Sequence, residues 1–137
     1  MFVDDDNFLR KVYQSELGER GYEVILAANG QEGLDKAKEN DPDLIILDMI
    51  MPEKNGFEVL TELRSDPTTA NIPVIILSNL GQEDDIKKGL DLGAVDYLVK
   101  DNITLAIIVD KISQYLNSVT VSKQAKNGNN HLKENNI

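Results

Sequence analysis

Leu44-Ile45-Ile46-Leu47-Asp48-Met49-Ile50-Met51-Pro52 is the stretch that decides the fold of this chain. Its four consecutive apolar residues, preceded by Asp41-Pro42-Asp43, predict a short strand that is buried on both faces of a sheet. The strand ends in Asp48, whose charge would be costly in a sheet interior without a cation or an exposed cleft beside it. Asp48 could also simply cap the loop before the next helix, and this strand alone does not separate the two interpretations.

The composition excludes several classes of protein. The chain has 137 residues, of which 41% are hydrophobic, enough for one domain with its own core. Its net charge of −10 argues against direct nucleic-acid binding and against binding to anionic membranes. The lack of cysteine excludes disulfides, thiol nucleophiles and zinc–thiolate sites. No apolar run is long enough to span a membrane and no signal peptide is visible, so we expect a cytoplasmic protein.

Working outward from the opening stretch, apolar strands alternate with amphipathic helices. We expect strands at residues 1–3, 23–28, 44–47, 74–77 and 97–99, each followed by a helix. Five strands that alternate with five helices predict an α/β fold, in which a doubly wound parallel sheet carries helices on both faces. Ligands bind to such sheets at the carboxyl ends of the strands.

The regular pattern fails after residue 117. Five asparagines fall between residues 127 and 136, and apolar residues are scarce there. We therefore expect a folded domain over residues 1–117 and a flexible polar tail over residues 118–137. Val119-Thr120-Val121 is interpreted as the fraying end of the last helix, and His131, in the tail, is not expected to be a ligand or a base. The tail is too short for an output domain, so we expect a stand-alone module or part of a longer protein.

Polar side chains collect at the carboxyl edge of the predicted sheet. The first strand runs into Asp4 and Asp5, the third into Asp48, the fourth into Ser78 and the fifth into Lys100. Each residue alone could be a cap, a turn residue or a solvated charge. The coincidence of all of them at one edge favours a functional site.

The residue types at this edge suit phosphoryl chemistry. Two carboxylates ~4 Å apart repel by about 4 kcal/mol at an effective dielectric of about 20, and a divalent cation would relieve that repulsion. A few oxygen ligands with positions left for water suit Mg²⁺ better than Ca²⁺. Lys100 offers a charge for a phosphoryl oxygen, and Ser78 offers a hydrogen bond. The central Asp48 is then the candidate to form an aspartyl phosphate.

These motifs resemble the receiver domain of two-component response regulators, the CheY-like family, over residues 1 to about 117. The resemblance implies a flavodoxin-like five-stranded sheet of order 2-1-3-4-5, the order known for CheY. It rests on four segments of this chain: Val3-Asp4-Asp5, Leu47-Asp48-Met49-Ile50-Met51-Pro52 with Gly56, Pro73-Val74-Ile75-Ile76-Leu77-Ser78, and Gly93-Ala94-Val95-Asp96-Tyr97-Leu98-Val99-Lys100.

The resemblance also implies roles, partners and a cofactor. The donor would be a sensor histidine kinase or a phosphotransfer protein, and the fourth helix, fifth strand and fifth helix would bind a downstream protein or form a homodimer. The protein would not be a turnover enzyme, although it would promote its own phosphorylation and slow autodephosphorylation. The implied site residues are the phosphoacceptor Asp48, the phosphate-binding Lys100, the Mg²⁺ ligands Asp4, Asp5, Asp48 and the backbone carbonyl of Ile50, and the switch residues Ser78 and Tyr97.

The chain departs from the family pattern at three places. Asp101 replaces the usual proline after the lysine, and we expect a trans Lys100–Asp101 bond because a cis bond before a non-proline residue costs about 3–4 kcal/mol. The first strand has only three residues, so the start is truncated or the domain is marginally stable. Ile50 and Leu80 stand where related proteins often carry polar side chains, which predicts a long-lived aspartyl phosphate.

Three other functions compete with this interpretation. An aspartyl-phosphate hydrolase would need a second Asp at the position of Ile50, and a flavin- or nucleotide-binding protein would need a Gly-rich loop that is absent here. A degenerate receiver could act as a phosphorylation-independent interaction module; Asp101 and the short first strand favour it, and the complete site opposes it. We also expect that Ile103 and Ile107 either form an exposed apolar spot for a partner or pack in the core.

Overall fold

The computed structural model describes the backbone of residues 1–127 and the side chains of residues 1–118. Within these residues, five strands alternate with five α-helices, and one 3-10 turn at Lys100–Asn102 precedes the last helix. The elements are β1 (Phe2–Val3), α1 (Asn7–Glu19), β2 (Leu26–Ala27), α2 (Gly30–Asn40), β3 (Ile45–Leu47), α3 (Gly56–Ser65), β4 (Val74–Ser78), α4 (Glu83–Asp91), β5 (Asp96–Val99) and α5 (Leu105–Asn127).

All five strands lie parallel in one sheet of order β2-β1-β3-β4-β5, which confirms the predicted fold and strand order. In the register, Val3 lies opposite Leu47, and Leu47 opposite Ile76. The last residues of β1 and β3 are therefore level with each other, while β4 runs two residues further to Ser78, and the residues that follow these strands meet at one edge.

Helices cover both faces of the sheet, and the side chains of β3 alternate between them. Ile45 and Leu47 belong to the core under α2, α3 and α4. Ile46 belongs to the core under α1 and α5. Every residue of β3 is buried, as expected for a central strand with two covered faces.

Side-chain caps lie at the start of α1 and α3, the helices that follow β1 and β3. The Asp6 carboxylate accepts hydrogen bonds from the backbone N–H groups of Phe8 and Leu9 at the start of α1. Asn55 caps α3, and the Glu58 side chain completes a capping box there. These caps hold the loops after β1 and β3 at the carboxyl edge.

Strand β2 is shorter than the predicted range 23–28. Its only neighbour in the sheet is β1, which pairs Phe2 with Leu26 and Val3 with Ala27. Because β1 offers only two pairing residues, the ladder cannot extend further along β2.

Helix α5 runs from Leu105 to Asn127 and so continues beyond residue 117. Residues 118–127 are thus helical in the structure, where the sequence predicted the start of a flexible tail. The rest of that predicted tail, residues 128–137 with His131, lies outside the described residues.

Two expectations about the segment after β5 have different outcomes. No peptide bond among residues 1–127 is cis, which confirms the trans Lys100–Asp101 bond. Of the two alternatives for Ile103 and Ile107, core packing holds for Ile103, which packs partly buried against the core under α1 and α5. Ile107 is 44% exposed.

None of the helices among the described residues combines the length and the apolar character needed to span a membrane.

Candidate functional site

A cavity of about 280 Å³ opens at the carboxyl edge of the sheet. Residues that follow β1, β3 and β5 meet there, as the parallel topology requires. The loop after β4 also contributes to the wall. The lining residues are Asp4, Asp5, Asp6, Leu9, Asp48, Ile50, Asn79 and Lys100.

Three carboxylates form a cluster in this cavity. Asp4, Asp5 and Asp48 each place one oxygen so that the three oxygens lie within 4.8 Å of one another. Asp4 and Asp48 are buried, with 1% and 7% of their surface exposed, whereas Asp5 is exposed. A set of three carboxylate oxygens that is open to solvent on one side suits a hard divalent cation that keeps part of its water shell.

Lys100 compensates part of this negative charge. Its ammonium nitrogen lies 2.8 Å from Oδ2 of Asp4 and 3.8 Å from Oδ2 of Asp48. The lysine reaches the cluster from the end of β5, two strands away from β3 in the sheet. The sequence prediction that Lys100 faces the carboxylates is therefore matched by the geometry, with Asp4 as its nearer partner.

The pKa of Asp48 is raised above its usual value, and burial is the main cause. The Lys100 ammonium acts in the opposite direction, and the negative charge of Asp4 adds to the increase. The Ser78 side chain and the backbone N–H of Ile50 also lower the pKa, and that N–H lies 3.3 Å from Oδ1 of Asp48. The ionised form of Asp48 is thus under-compensated in the chain alone, as expected for a group that receives a cation or a reacting partner.

The loop between β1 and α1 is tied to Asp4 by contacts that the sequence analysis missed. The backbone N–H of Asp6 donates to Oδ1 of Asp4 at 2.9 Å, and the Arg10 guanidinium donates to the backbone carbonyl of Asp4 at 2.7 Å. The signal available in the sequence was an arginine one helical turn after the Asp6 cap. Asp6, part of the predicted acidic run, lines the cavity but uses its carboxylate to cap α1.

The two predicted switch residues meet at the peptide groups of Leu80. The Ser78 hydroxyl oxygen accepts the Leu80 N–H at 3.3 Å, and the Tyr97 hydroxyl donates to the Leu80 carbonyl. Tyr97 points inward with 8% of its surface exposed, and burial is the main cause that raises its pKa to about 12. Sequence reasoning identified Ser78 and Tyr97 but not Leu80 as the residue that joins them.

The sequence and the fold both match known proteins. Residues 1–113 match the family model of the response regulator receiver domain, and the chain belongs to that family. It is 40% identical over 100 residues to a probable transcriptional regulator, ycf27, of Guillardia theta, covering 73% of this chain and 38% of that protein. It is 42% identical over 100 residues to the DNA-binding dual master transcriptional regulator RpaA of Synechocystis, covering 73% of this chain and 42% of that protein. The chain thus spans about two fifths of the length of these curated relatives.

Two solved structures show the same fold. The Vibrio cholerae chemotaxis protein CheY4 aligns with a TM-score of 0.74 and 30% identity over 86% of this chain and 94% of that one. The BeF3-activated receiver domain of Klebsiella pneumoniae RstA aligns with a TM-score of 0.75 and 25% identity, over 84% and 95% of the two chains. The predicted family is therefore confirmed, and the roles of individual residues remain predictions.

Proposed function

We propose that the chain accepts a phosphoryl group on Asp48 from a sensor histidine kinase or a phosphotransfer protein. One observation carries the proposal: buried Asp48 lies within 4.8 Å of the Asp4 and Asp5 oxygens, with the Lys100 ammonium 3.8 Å away. A lone structural aspartate would not be surrounded by two further carboxylates, because each raises the free energy of its ionised form. Membership of the receiver family supports a phosphoacceptor role for the domain as a whole.

The residues of the site have different roles in the proposed phosphoryl transfer. A carboxylate oxygen of Asp48 attacks phosphorus, and the bond from phosphorus to the donor breaks as the new bond forms. Lys100 is close enough to place its positive charge beside a phosphoryl oxygen of the acceptor, and the Ser78 side chain already lies beside Asp48. The open side of the cavity leaves access for the donor.

Mg²⁺ is the cofactor that this donor set fits best. Asp4, Asp5 and Asp48 would hold it with the backbone carbonyl of Ile50, all of them residues that line the cavity. When bound, Mg²⁺ supplies positive charge beside the phosphoryl oxygens. The absence of sulfur and nitrogen donors among these ligands favours a hard cation over softer transition metals such as Zn²⁺ and Cu²⁺.

The proposed output surface comprises α4, β5 and α5. Phosphorylation would act on it through the contacts of Ser78 and Tyr97 with Leu80, which lies in the loop before α4. This surface carries exposed apolar side chains, among them Leu90, Leu105 and Ile107. A downstream protein or a second copy of the chain would bind there, with no direct contact to nucleic acid or membrane.

Phosphorylation without a kinase tests the acceptor. The wild-type chain, incubated with acetyl phosphate and Mg²⁺, should gain the mass of one phosphoryl group, and the Asp48→Asn chain should gain none. Asp35→Asn is the matched control, because Asp35 is exposed on α2 and should leave the gain unchanged. Undiminished gain in Asp48→Asn would exclude Asp48 as the acceptor, and no gain in the wild type would favour a phosphorylation-independent interaction module.

We expect the aspartyl phosphate to be long-lived. Ile50 is exposed beside the cavity with an apolar side chain, and the Leu80 side chain packs against the core. Neither can orient a water molecule towards the phosphorus atom. Decay followed by intact mass in Mg²⁺ buffer should be faster for Ile50→Asn than for the wild type, and wild-type loss within seconds would refute the expectation.

A further inference from the structure

We propose that Arg10 is a positioning residue for the metal site, because it holds the peptide that sets the direction of the Asp5 carboxylate. This inference rests on the proposed function, in which Asp4 and Asp5 hold Mg²⁺. The contact that carries it is the hydrogen bond of 2.7 Å from Nη1 of Arg10 to the backbone carbonyl oxygen of Asp4.

Asp4 and Asp5 are held in different ways. The Asp4 carboxylate is buried and receives hydrogen bonds from the Asp6 N–H at 2.9 Å and from Lys100 at 2.8 Å. The Asp5 carboxylate is exposed, and no donor among the described residues binds it. Its position in the cluster is therefore set by its backbone alone.

The backbone around Asp5 is anchored on both sides. The carbonyl oxygen bound by Arg10 belongs to the planar peptide group that joins Asp4 to Asp5, so holding that oxygen orients the whole group. The next peptide group is held through the Asp6 N–H by the Asp4 carboxylate. Arg10 is itself fixed by a second bond, from Nη2 to Oδ1 of Asn7 at 3.2 Å. The substitution of Arg10 would release the first anchor and leave the second.

The charge of Arg10 and its hydrogen bond predict opposite effects on Mg²⁺ affinity when Arg10 is removed. A guanidinium near a cation site repels the cation, so if its charge alone mattered, removing it would strengthen Mg²⁺ binding. If Arg10 positions Asp5, removing it lets the carboxylate sample orientations outside the site and weakens Mg²⁺ binding. The sign of the change in affinity therefore separates the two effects.

The experiment is a calorimetric titration of Mg²⁺ into the metal-free full chain at constant ionic strength. Arg10→Gln should raise the dissociation constant about tenfold, the lower end of the range for loss of a group that orients a metal ligand. Lys11→Gln is the matched control: it removes the same charge from the next position of α1, where the side chain is exposed. It should leave the affinity unchanged or slightly stronger. An unchanged or tighter dissociation constant in Arg10→Gln would overturn the inference.

Two further variants show through which residue Arg10 acts. Arg10→Lys keeps the charge but donates at a single point, so it should weaken Mg²⁺ binding less than Arg10→Gln does. Binding as tight as that of the wild type would overturn the inference, even if Arg10→Gln failed to fold. In an Asp5→Asn background, Arg10→Gln should have little further effect on the affinity, and a full additional tenfold loss would contradict action through Asp5.

A readout without metal completes the test. Hydrogen exchange of the Asp5 and Asp6 amides should become faster in Arg10→Gln, at a melting temperature close to that of the wild type. Equal exchange rates would count against the anchor. Failure of wild-type Mg²⁺ binding would overturn the metal part of the proposed function together with this inference, whereas wild-type binding that Arg10→Gln leaves intact would overturn this inference alone.

Discussion

The two edges of the sheet differ in how their charged side chains are compensated. At the amino edge, the Arg64 guanidinium donates to the backbone carbonyls of Ala70, Ile72 and Gly93 at 3.2, 2.8 and 3.0 Å. One cation there satisfies three acceptors that precede β4 and β5. At the carboxyl edge, three carboxylates lie close together in spite of their repulsion, and the ammonium group of Lys100 pairs with two of them, Asp4 and Asp48.

This difference in charge compensation distinguishes residues that stabilise the fold from residues of the candidate functional site. Hydrogen bonds to a charged donor each stabilise by about 1.5–3 kcal/mol, so Arg64 has a structural role. Asp48 has the opposite effect, because its burial and the repulsion from Asp4 favour the unfolded state, in which its carboxylate is solvated. Substitutions of Arg64 and Asp48 should accordingly change stability in opposite directions, and only the substitution of Asp48 should change phosphorylation.

The largest effect on stability is expected at the amino edge. Arg64→Ala removes the donor of three carbonyl groups and should lower the free energy of unfolding by about 2–4 kcal/mol. Denaturant unfolding measures this loss. Arg64→Lys should recover part of it, since an ammonium cannot reach all three acceptors. The extent of phosphorylation by acetyl phosphate should stay unchanged in the folded fraction, and a loss there would contradict the division between the edges.

A smaller effect is expected where α4 packs on the sheet. A Cβ atom at Gly89 would lie 2.5 Å from Cδ1 of Ile76 and 2.9 Å from Cδ2 of Tyr97, so Gly89→Ala should destabilise by about 1–3 kcal/mol. The matched control is Gly18→Ala on α1, where a Cβ meets no atom within 4 Å. That change should stabilise by about 0.5–1 kcal/mol through helix propensity. Equal unfolding midpoints for the two variants would contradict the close packing of α4.

The smallest effect is a gain in stability at the carboxyl edge. The pKa of Asp48 is raised in the folded chain, so folding favours the protonated form. The unfolded chain releases this proton more readily, and stability falls as the pH rises from the usual aspartate value through the folded pKa. At neutral pH, Asp48→Asn should therefore raise the free energy of unfolding by about 0.5–2 kcal/mol.

The measurement for Asp48→Asn is thermal unfolding at neutral and at acidic pH without divalent ions. The gain should be present at neutral pH and shrink in acid, where the wild-type carboxyl is also neutral. Asp35→Asn serves again as the exposed control and should show neither the gain nor its pH dependence. A lower melting temperature for Asp48→Asn at neutral pH would show that the carboxylate stabilises the fold.

Much of the fold was predictable because the pattern and the physics agree. The apolar run of β3 and the residues after each strand predicted the parallel sheet and the meeting of Asp4, Asp48 and Lys100 at one edge, whereas the strand order was implied by the resemblance to the receiver family. Parallel topology needs no knowledge of side-chain contacts to place these residues together.

The rest depends on contacts between residues that sequence patterns do not pair. The length of β2 is set by the two residues of β1, and the packing of Ile103 is set by the turn at Lys100–Asn102. The bond from Arg10 to a backbone carbonyl leaves no periodic signal, because any backbone carbonyl could accept it. The helical continuation to Asn127 was expected only as a fraying end at Val119-Thr120-Val121, because the serines and β-branched residues of positions 118–122 have low intrinsic helix propensity.

Leu80 lies between Ser78 and Tyr97, one of which binds its N–H and the other its carbonyl. The two side chains come from neighbouring strands, yet each restrains the backbone torsions on one side of the same α-carbon. Their energetic contributions are consequently not additive: a substitution at either position alters what the other contributes, and only a double-mutant cycle can apportion them. A covalent change beside Ser78 would thereby alter the rotational freedom of Tyr97, a side chain that does not contact the reacting atoms.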